Sequence, residues 1–195
     1  MGGENFHFHV TEGVYPPAED TFLLLDSVYS QIEGNVLEMG SGSGYLSVHL
    51  AGKADMLLAC DISLLAVKNT KENLVRNRME DLTNVLQTDL FLALADDHVF
   101  DFIVFNPPYL PADEVVTEND MSYIGGVRGT EVTEEFLSQA VSRLKPGGSI
   151  FVVVSSLADV ECIEDTMEAL NLSAEIINQK QLFFEKLSIL KASPK

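Results

Sequence analysis

The stretch from Asn35 to Leu50 constrains the fold more than any other part of the chain. Asn35-Val36-Leu37-Glu38-Met39 has the length and apolar character of a buried strand. Gly40-Ser41-Gly42-Ser43-Gly44 follows at once, and Tyr45 to Leu50 then resumes with helical spacing. Strand, glycine turn and helix in that order open an α/β sheet, because a strand that hands its chain to a helix is rejoined by a parallel crossover. The glycines let the backbone turn sharply and let a ligand come close, since no Cβ blocks it. By itself the turn specifies a nucleotide-like ligand and nothing narrower.

The neighbouring residues narrow it. A dinucleotide fingerprint needs its third glycine three residues after the second, but position 45 is Tyr and the third glycine is Gly44. Glu38 stands two residues before the first glycine, where it would repel a pyrophosphate but hold a cationic amino-acid group. The second strand, Asp55 to Asp61, ends in a carboxylate 19 residues beyond Gly42 (61 minus 42), placed to accept both hydroxyls of a ribose. Ile62 follows as an apolar contact for adenine. A third strand over Asn84 to Asp89 also ends in a carboxylate, a candidate ligand contact, with Leu90 beside it. Asp89 reads equally well as a plain strand terminator.

Phe100 to Phe105 is a fourth strand, apolar enough to be central, and it delivers Asn106-Pro107-Pro108-Tyr109 to its carboxyl end. Ligands of open α/β sheets bind outside the carboxyl ends of the strands, so the glycine turn, Asp61, Asp89 and Asn106 converge on one edge. The tetrapeptide is a stiff, acceptor-rich clamp. The Asn106 amide and the Pro107 carbonyl can take the two hydrogens of a planar NH2 group, neither proline donates an N–H, and Tyr109 offers a flat ring. Without that shared edge, Asn-Pro-Pro would read as an ordinary turn.

Around this centre the chain reads as one domain over residues 1–195, with an N-terminal lid and helix over 1–34 and a Rossmann-like core over 35–195. Residues 1–13 are expected to be loosely held. Asp20 and Thr21 open a helix, either as favourable charge at its N-terminus or as a lid over the ligand. Leu64 to Arg78 reads as a helix whose inner face carries Leu65, Val67, Leu74 and Val75. Residues 110–130, with Asp113, Glu114, Glu118, Asp120, Gly125, Gly126 and Gly129, form a long polar loop suited to substrate recognition. A helix over Thr133 to Leu144, stopped by Lys145-Pro146-Gly147-Gly148, leads to a strand over Ser149 to Val154. A helix over Val160 to Leu170 precedes strands at Ala174 to Gln179 and Leu187 to Lys191. No helix joins those last two strands, so the seventh should lie antiparallel beside the fifth.

Composition restricts the partners. A net charge of −18 and a pI near 4.3 disfavour binding to a phosphate backbone, and no direct DNA binding is expected. Cys60 and Cys162 are too few for a disulfide framework or a zinc site and sit in apolar contexts typical of buried thiols. No metal is expected. With no run of 18 apolar residues and no signal-peptide pattern, the expectation is a soluble cytoplasmic protein without a membrane anchor.

Glu38 with the glycine turn resembles motif I of S-adenosylmethionine-dependent methyltransferases, and the resemblance implies their Rossmann-like class I fold, a seven-stranded, mostly parallel sheet in the order 3-2-1-4-5-7-6 with helices on both faces. Asn106-Pro107-Pro108-Tyr109 extends the resemblance to the HemK-like, release-factor glutamine type. Val14-Tyr15, Pro17 to Thr21, Asp61-Ile62, Gly125-Gly126 and Leu187-Ser188-Ile189-Leu190-Lys191 are similar to its compact archaeal and eukaryotic branch. The resemblance implies S-adenosylmethionine as cofactor, held by Asp20, Thr21, Glu38, Gly40, Gly42, Asp61, Ile62, Asp89, Leu90 and Asn106, with S-adenosylhomocysteine as product. It implies Asn106, Pro107, Pro108 and Tyr109 as the catalytic clamp on the glutamine of a Gly-Gly-Gln motif in a class I translation termination factor. It also implies a small zinc-binding activator subunit on the sheet edge at Asn84 to Thr88. Two other acceptors stay open at this point, an adenine amino group and a protein lysine; the ammonium of a lysine would first need a base, which the clamp lacks.

Overall fold

A computed structural model describes residues 6–112 and 124–195. Its elements, in chain order, are α1 (Glu19–Val28), β1 (Asn35–Met39), α2 (Tyr45–Ala51), β2 (Met56–Asp61), α3 (Leu64–Arg76), β3 (Thr83–Gln87), β4 (Phe100–Phe105), β5 (Leu110–Pro111), β6 (Ile124–Gly126), α4 (Glu131–Ala140), β7 (Leu144–Ser155), α5 (Val160–Ala169), β8 (Leu172–Gln181) and β9 (Lys186–Pro194). The main sheet runs β3-β2-β1-β4-β7-β9-β8. Counting only its own strands, that is the expected 3-2-1-4-5-7-6, with β9 antiparallel to both neighbours.

Alternation along the central strands separates two cores. Val36, Val104, Phe151 and Val153 face α1 and α2, packing with Leu24, Val28, Leu46 and Leu50. Leu37, Ile103, Ile150 and Val152 face α4 and α5, packing with Phe136, Leu137, Ile163 and Met167. Because both faces are covered, the strands are nearly continuous hydrophobic runs, as parallel strands between two helical layers must be. Each fully buried large side chain contributes about 1.5–3 kcal/mol of transfer free energy.

Register aligns the working edge. Met39 lies opposite Cys60 and Phe105, and Phe105 opposite Val152, so the chain leaves the sheet at nearly one level at Gly40, Asp61 and Asn106.

The N-terminus differs from expectation. Residues 6–11 are not loose; they run along α3, fixed by three asparagines spaced four apart on one face of that helix. The His7 N–H donates to Asn77 Oδ1 at 2.8 Å and the His7 carbonyl accepts from Asn77 Nδ2 at 2.9 Å. His9 donates to Asn73 Oδ1 at 2.9 Å and accepts from both Asn69 and Asn73, while Thr11 donates to Asn69 Oδ1 at 2.9 Å. Phe6 and Phe8 pack their rings on His49, and Phe8 also on Tyr45.

The same segment corrects the inner face of α3. Leu65 and Val75 are exposed, while Ala66, Val67, Asn69, Thr70, Asn73 and Leu74 are buried. Polar residues take the inner positions because backbone groups of the N-terminal segment and the glycine turn lie there to be bonded. Lys145-Pro146-Gly147-Gly148 does not interrupt the chain but forms the start of β7, with a register shift against β4 between Phe100 and Phe102. Cys60 is buried as expected, whereas Cys162 is half-buried and lies 3.0 Å from an Arg128 guanidinium nitrogen. Asp113, Glu114, Glu118 and Asp120 lie outside the described residues.

Candidate active site

Three positive-φ glycines build the turn after β1, at Gly40, Gly42 and Gly44. A Cβ on Gly44 would come within 2.9 Å of the Thr70 backbone, so this position also sets how closely the turn approaches α3. Helix α3 answers the turn's polar groups. Thr70 Oγ1 donates to Ser41 Oγ or the Gly42 carbonyl, at 3.0 and 3.1 Å, and Asn73 Nδ2 donates to the Ser43 carbonyl at 2.8 Å. The turn is thus held from behind and presents its open side to the edge above the sheet.

Asp61, at the end of β2, is buried and accepts the Gly42 N–H at 2.9 Å on one oxygen and the Ser63 N–H at 2.8 Å on the other. Burial raises its pKa, against the lowering effect of those backbone N–H groups. Its remaining lone pairs are free to accept a ribose diol. Ile62 beside it is exposed at the same edge.

Glu38 is fully buried, and its carboxylate accepts the Ser47 hydroxyl. Burial pushes its pKa up to about 8, opposed by the Ser47 bond and reinforced by the Asp61 charge. Buried, and without a counter-ion among the described residues, this carboxyl is mostly protonated at neutral pH, and a cation placed beside it would restore the charge. Cys60 next to these two carboxylates is pushed up to about 12, mainly by burial, and is chemically inert.

The end of β3 carries Asp89, exposed, and Leu90, whose φ of 42° puts a bulky residue in the left-handed region. Such strain persists only where the surroundings impose it. Here the Ala93 N–H on Thr88 Oγ1 and the Leu92 N–H on the Asp89 carbonyl hold the turn around it.

At the end of β4, the Asn106 Oδ1 atom is buried and, among the described residues, finds no hydrogen-bond partner. A buried unsatisfied acceptor costs on the order of 1–3 kcal/mol, so its presence at a strand end calls for an incoming donor. Tyr109 lies nearby with its hydroxyl 3.2 Å from Asp20 Oδ2, an atom that also accepts the Tyr15 hydroxyl at 2.7 Å. Burial and the Asp20 and Glu185 charges raise the Tyr109 pKa, so the phenol stays protonated. Asp20 and Thr21 are both buried at the start of α1. The Asp20 carboxylate also accepts the Thr21 N–H and hydroxyl, so the residue begins the helix and ties α1 to the clamp together.

The clamp is backed by glycines that the sequence marks only as part of a loop. A Cβ on Gly125 would approach the Pro108 carbonyl to 2.4 Å, and one on Gly129, with φ of 76°, would approach the Tyr109 carbonyl to 2.4 Å. The segment 124–129 therefore lies directly against the backbone of Pro108 and Tyr109, anchored by β5–β6 pairing and by the Ala112 N–H on the Gly126 carbonyl at 2.8 Å. The asparagine ladder and Thr70 escape sequence reasoning altogether; asparagines at three successive i, i+4 positions are the signal that could have found them.

Seven strands in this order, a glycine turn backed by a helix, two buried carboxylates and an unsatisfied amide acceptor on one edge define a class I methyltransferase. The model of the methyltransferase small domain family matches residues 5–184. A Methanocaldococcus jannaschii protein called a protein N5-glutamine methyltransferase is 33% identical over 92% of this chain and 91% of its own. The Homo sapiens methyltransferase HEMK2 is 34% identical over 98% of each. Among solved structures, the E. cuniculi Mtq2-Trm112 complex contains a chain that matches the fold with a TM-score of 0.77 at 23% identity, covering 94% of this chain and 99% of that one. The chain belongs to the HemK-like class I S-adenosylmethionine-dependent methyltransferases.

Proposed function

We propose that this enzyme transfers a methyl group from S-adenosylmethionine to the side-chain nitrogen of a glutamine, in the Gly-Gly-Gln motif of a class I translation termination factor. The observation that carries the reading is Asn106 Oδ1, a buried acceptor without a partner, presented by a strand end next to a cofactor-type glycine turn. Relatives named for protein glutamine methylation support the acceptor, and the E. cuniculi complex, responsible for methylating the eRF1 termination factor, supports the protein that carries it.

The chain's own residues fit the cofactor. Glu38 would face its amino-acid cation, Asp61 its ribose hydroxyls, Ile62 and Leu90 its base, and Asp89 the base amino group, with Gly40 and Gly42 giving the close approach and Asp20 and Thr21 closing the site. When bound, the donor supplies an electrophilic sulfonium methyl. Asn106 Oδ1 and the Pro107 carbonyl accept the two hydrogens of the glutamine NH2, which draws the nitrogen lone pair out of amide resonance and aims it at the methyl. Pro107 and Pro108 fix the loop beforehand and Tyr109 flanks the amide, held by Asp20. No strong base is required, because the nitrogen loses its proton after methylation. Orientation of this kind is worth up to about 7–11 kcal/mol.

An adenine amino group would satisfy the same clamp, but the net charge of −18 opposes a nucleic acid. The proposed activator is a small subunit, zinc-binding by family resemblance, on the free edge of β3, which among the described residues pairs only with β2 and leaves Val85 and Leu86 half-buried. The proposed compartment is the cytoplasm; among the described residues no helix is long and apolar enough to cross a membrane.

Incubation of the protein, with its activator if one co-purifies, with labelled donor and a termination factor should methylate the Gly-Gly-Gln glutamine, read as label on the peptide that carries it. Asn106→Ala should lower turnover by about 100-fold or more, as other lost transition-state contacts do. Near-normal turnover in that variant would remove Asn106 from the clamp.

A further inference from the structure

The hairpin joining β8 to β9 ends in a four-residue turn closed by the Leu182 N–H on the Glu185 carbonyl at 2.8 Å. Its two central residues are Phe183 and Phe184, 91% and 83% exposed, their rings meeting edge to face with centroids 4.5 Å apart. Turn centres ordinarily carry Gly, Asn, Asp, Pro or Ser, and nothing about this turn's closure asks for an aromatic. Together the two residues leave on the order of 300 Å², most of it apolar, in water, near the size of the largest patch found on a typical monomer, and such patches are often functional.

The position of this tip says what would cover it. Strand β9 runs antiparallel to β7, with Leu187 opposite Ser155 at the carboxyl end of β7, so the turn rises from the same sheet edge as Asn106. The inner corners of the turn are built into the acceptor site. Leu182 and Tyr109 each pack against the same core, and Glu185 accepts the Ser155 hydroxyl at 2.6 Å. The Glu185 charge also reaches Tyr109, where it contributes to the raised phenol pKa. Lys180, just before the turn, pairs with Glu19 beside Asp20. The aromatic pair therefore stands at the rim of the clamp, at the opposite end of the sheet from β3.

We propose that Phe183 and Phe184 form an aromatic anchor that docks the protein substrate while its glutamine enters the Asn106 clamp. The proposal rests on the glutamine reading above. Anything carrying the acceptor side chain to Asn106 on a folded surface must lie across this rim, and large aromatics are what protein interfaces use as anchors. The occupant is a protein rather than a nucleic acid. The rings are turned 86° to each other instead of lying open side by side as a stacking platform for bases, and the net charge of −18 repels phosphate. That charge favours a substrate with a basic surface around its acceptor glutamine.

The test replaces the pair with residues common in turns, Phe183→Asn with Phe184→Gly, and a second variant that keeps apolar bulk, Phe183→Leu with Phe184→Leu. Initial rates are measured on a full-length termination factor, together with S-adenosylmethionine affinity and thermal unfolding. The Asn-Gly variant should fold, bind the donor normally, keep kcat within about twofold and raise KM for the factor about tenfold. The Leu pair should recover at least half of that loss on a logarithmic scale. A KM within about twofold of wild type in the Asn-Gly variant, or a fall in kcat at constant KM, overturns the docking role while leaving the glutamine reading intact. Loss of a reversible wild-type dimer with unchanged KM overturns it too, assigning the patch to a second copy. A wild-type enzyme that transfers nothing to any termination factor sinks the glutamine reading and this proposal with it.

Discussion

Replacing Glu38 by Gln should abolish a defined part of the protein's pH dependence. Glu38 ionises near 4.5 in an unfolded chain and at about 8 in the fold, chiefly because burial withholds water from the charged form. A carboxyl whose folded pKa is raised contributes stability in full below its unfolded value, and that contribution is lost as pH climbs through the folded value. Between those limits the slope is about 1.36 kcal/mol per pH unit. From about pH 6 to about pH 9.5 the wild-type protein, free of donor, should therefore lose about 3 kcal/mol that Glu38→Gln does not lose, since the lower pH lies about two units below the folded value. The introduced amide is close to isosteric with the carboxyl and can still bond Ser47. Asp61 is retained in both proteins, so its own titration largely cancels. The assay is urea unfolding of both proteins at the two pH values, with the difference of differences as the readout. Parallel loss of stability in the two proteins, within about 0.5 kcal/mol, would show that Glu38 is already ionised at the lower pH and that its surroundings are wetter than the fold implies.

The same carboxyl should report the donor. A cation beside Glu38 restores its charge, so S-adenosylmethionine binding at neutral pH should release about nine-tenths of a proton per site, measured by calorimetry in buffers of different ionisation enthalpy, and Glu38→Gln should release none from this source. Gly129→Ala adds a Cβ 2.4 Å from the Tyr109 carbonyl at a φ of 76°; it should cut turnover by about tenfold or more with donor affinity within about twofold, a split read from kcat and Kd. Asn73→Leu leaves the His9 N–H and the Ser43 carbonyl without these partners, while the His9 carbonyl keeps only its bond from Asn69. It should cost about 1–3 kcal/mol in denaturant unfolding and speed amide exchange at His9.

Much of the sheet was legible because the central parallel strands carry mostly apolar runs closed by a residue that ends them. β1 and β4 occupy Asn35 to Met39 and Phe100 to Phe105, the stretches that their apolar runs mark out. The convergence of the candidate site was legible for a related reason: parallel strands end at one edge, so their alternation with helices brings Gly40, Asp61 and Asn106 together. The sequence was silent where backbone groups, not side-chain types, decide. Asn69, Asn73 and Asn77 look like a wetted helix face until the N-terminal segment lies along them. Gly125 and Gly129 look like loop glycines until the Pro108 and Tyr109 carbonyls appear behind them. Leu65 and Val75 misled by type, since apolar residues on a short helix need not face inward when polar ones have backbone to bond.

The asparagine ladder also bears on the order in which the molecule assembles. It joins residues 7–11 to residues 69–77, pairs separated by 58 to 70 positions along the chain, and closing a loop of that length carries a substantial entropy cost before any contact rewards it. Each asparagine amide acts as a stand-in for a neighbouring strand, offering one donor and one acceptor to an extended backbone, but it can do so only after α3 has formed and set the three amides in line. Residues 6–11, synthesised before α3, should therefore be among the last to settle, closing over Tyr45 and His49 once the β1–α2–β2–α3 unit is in place.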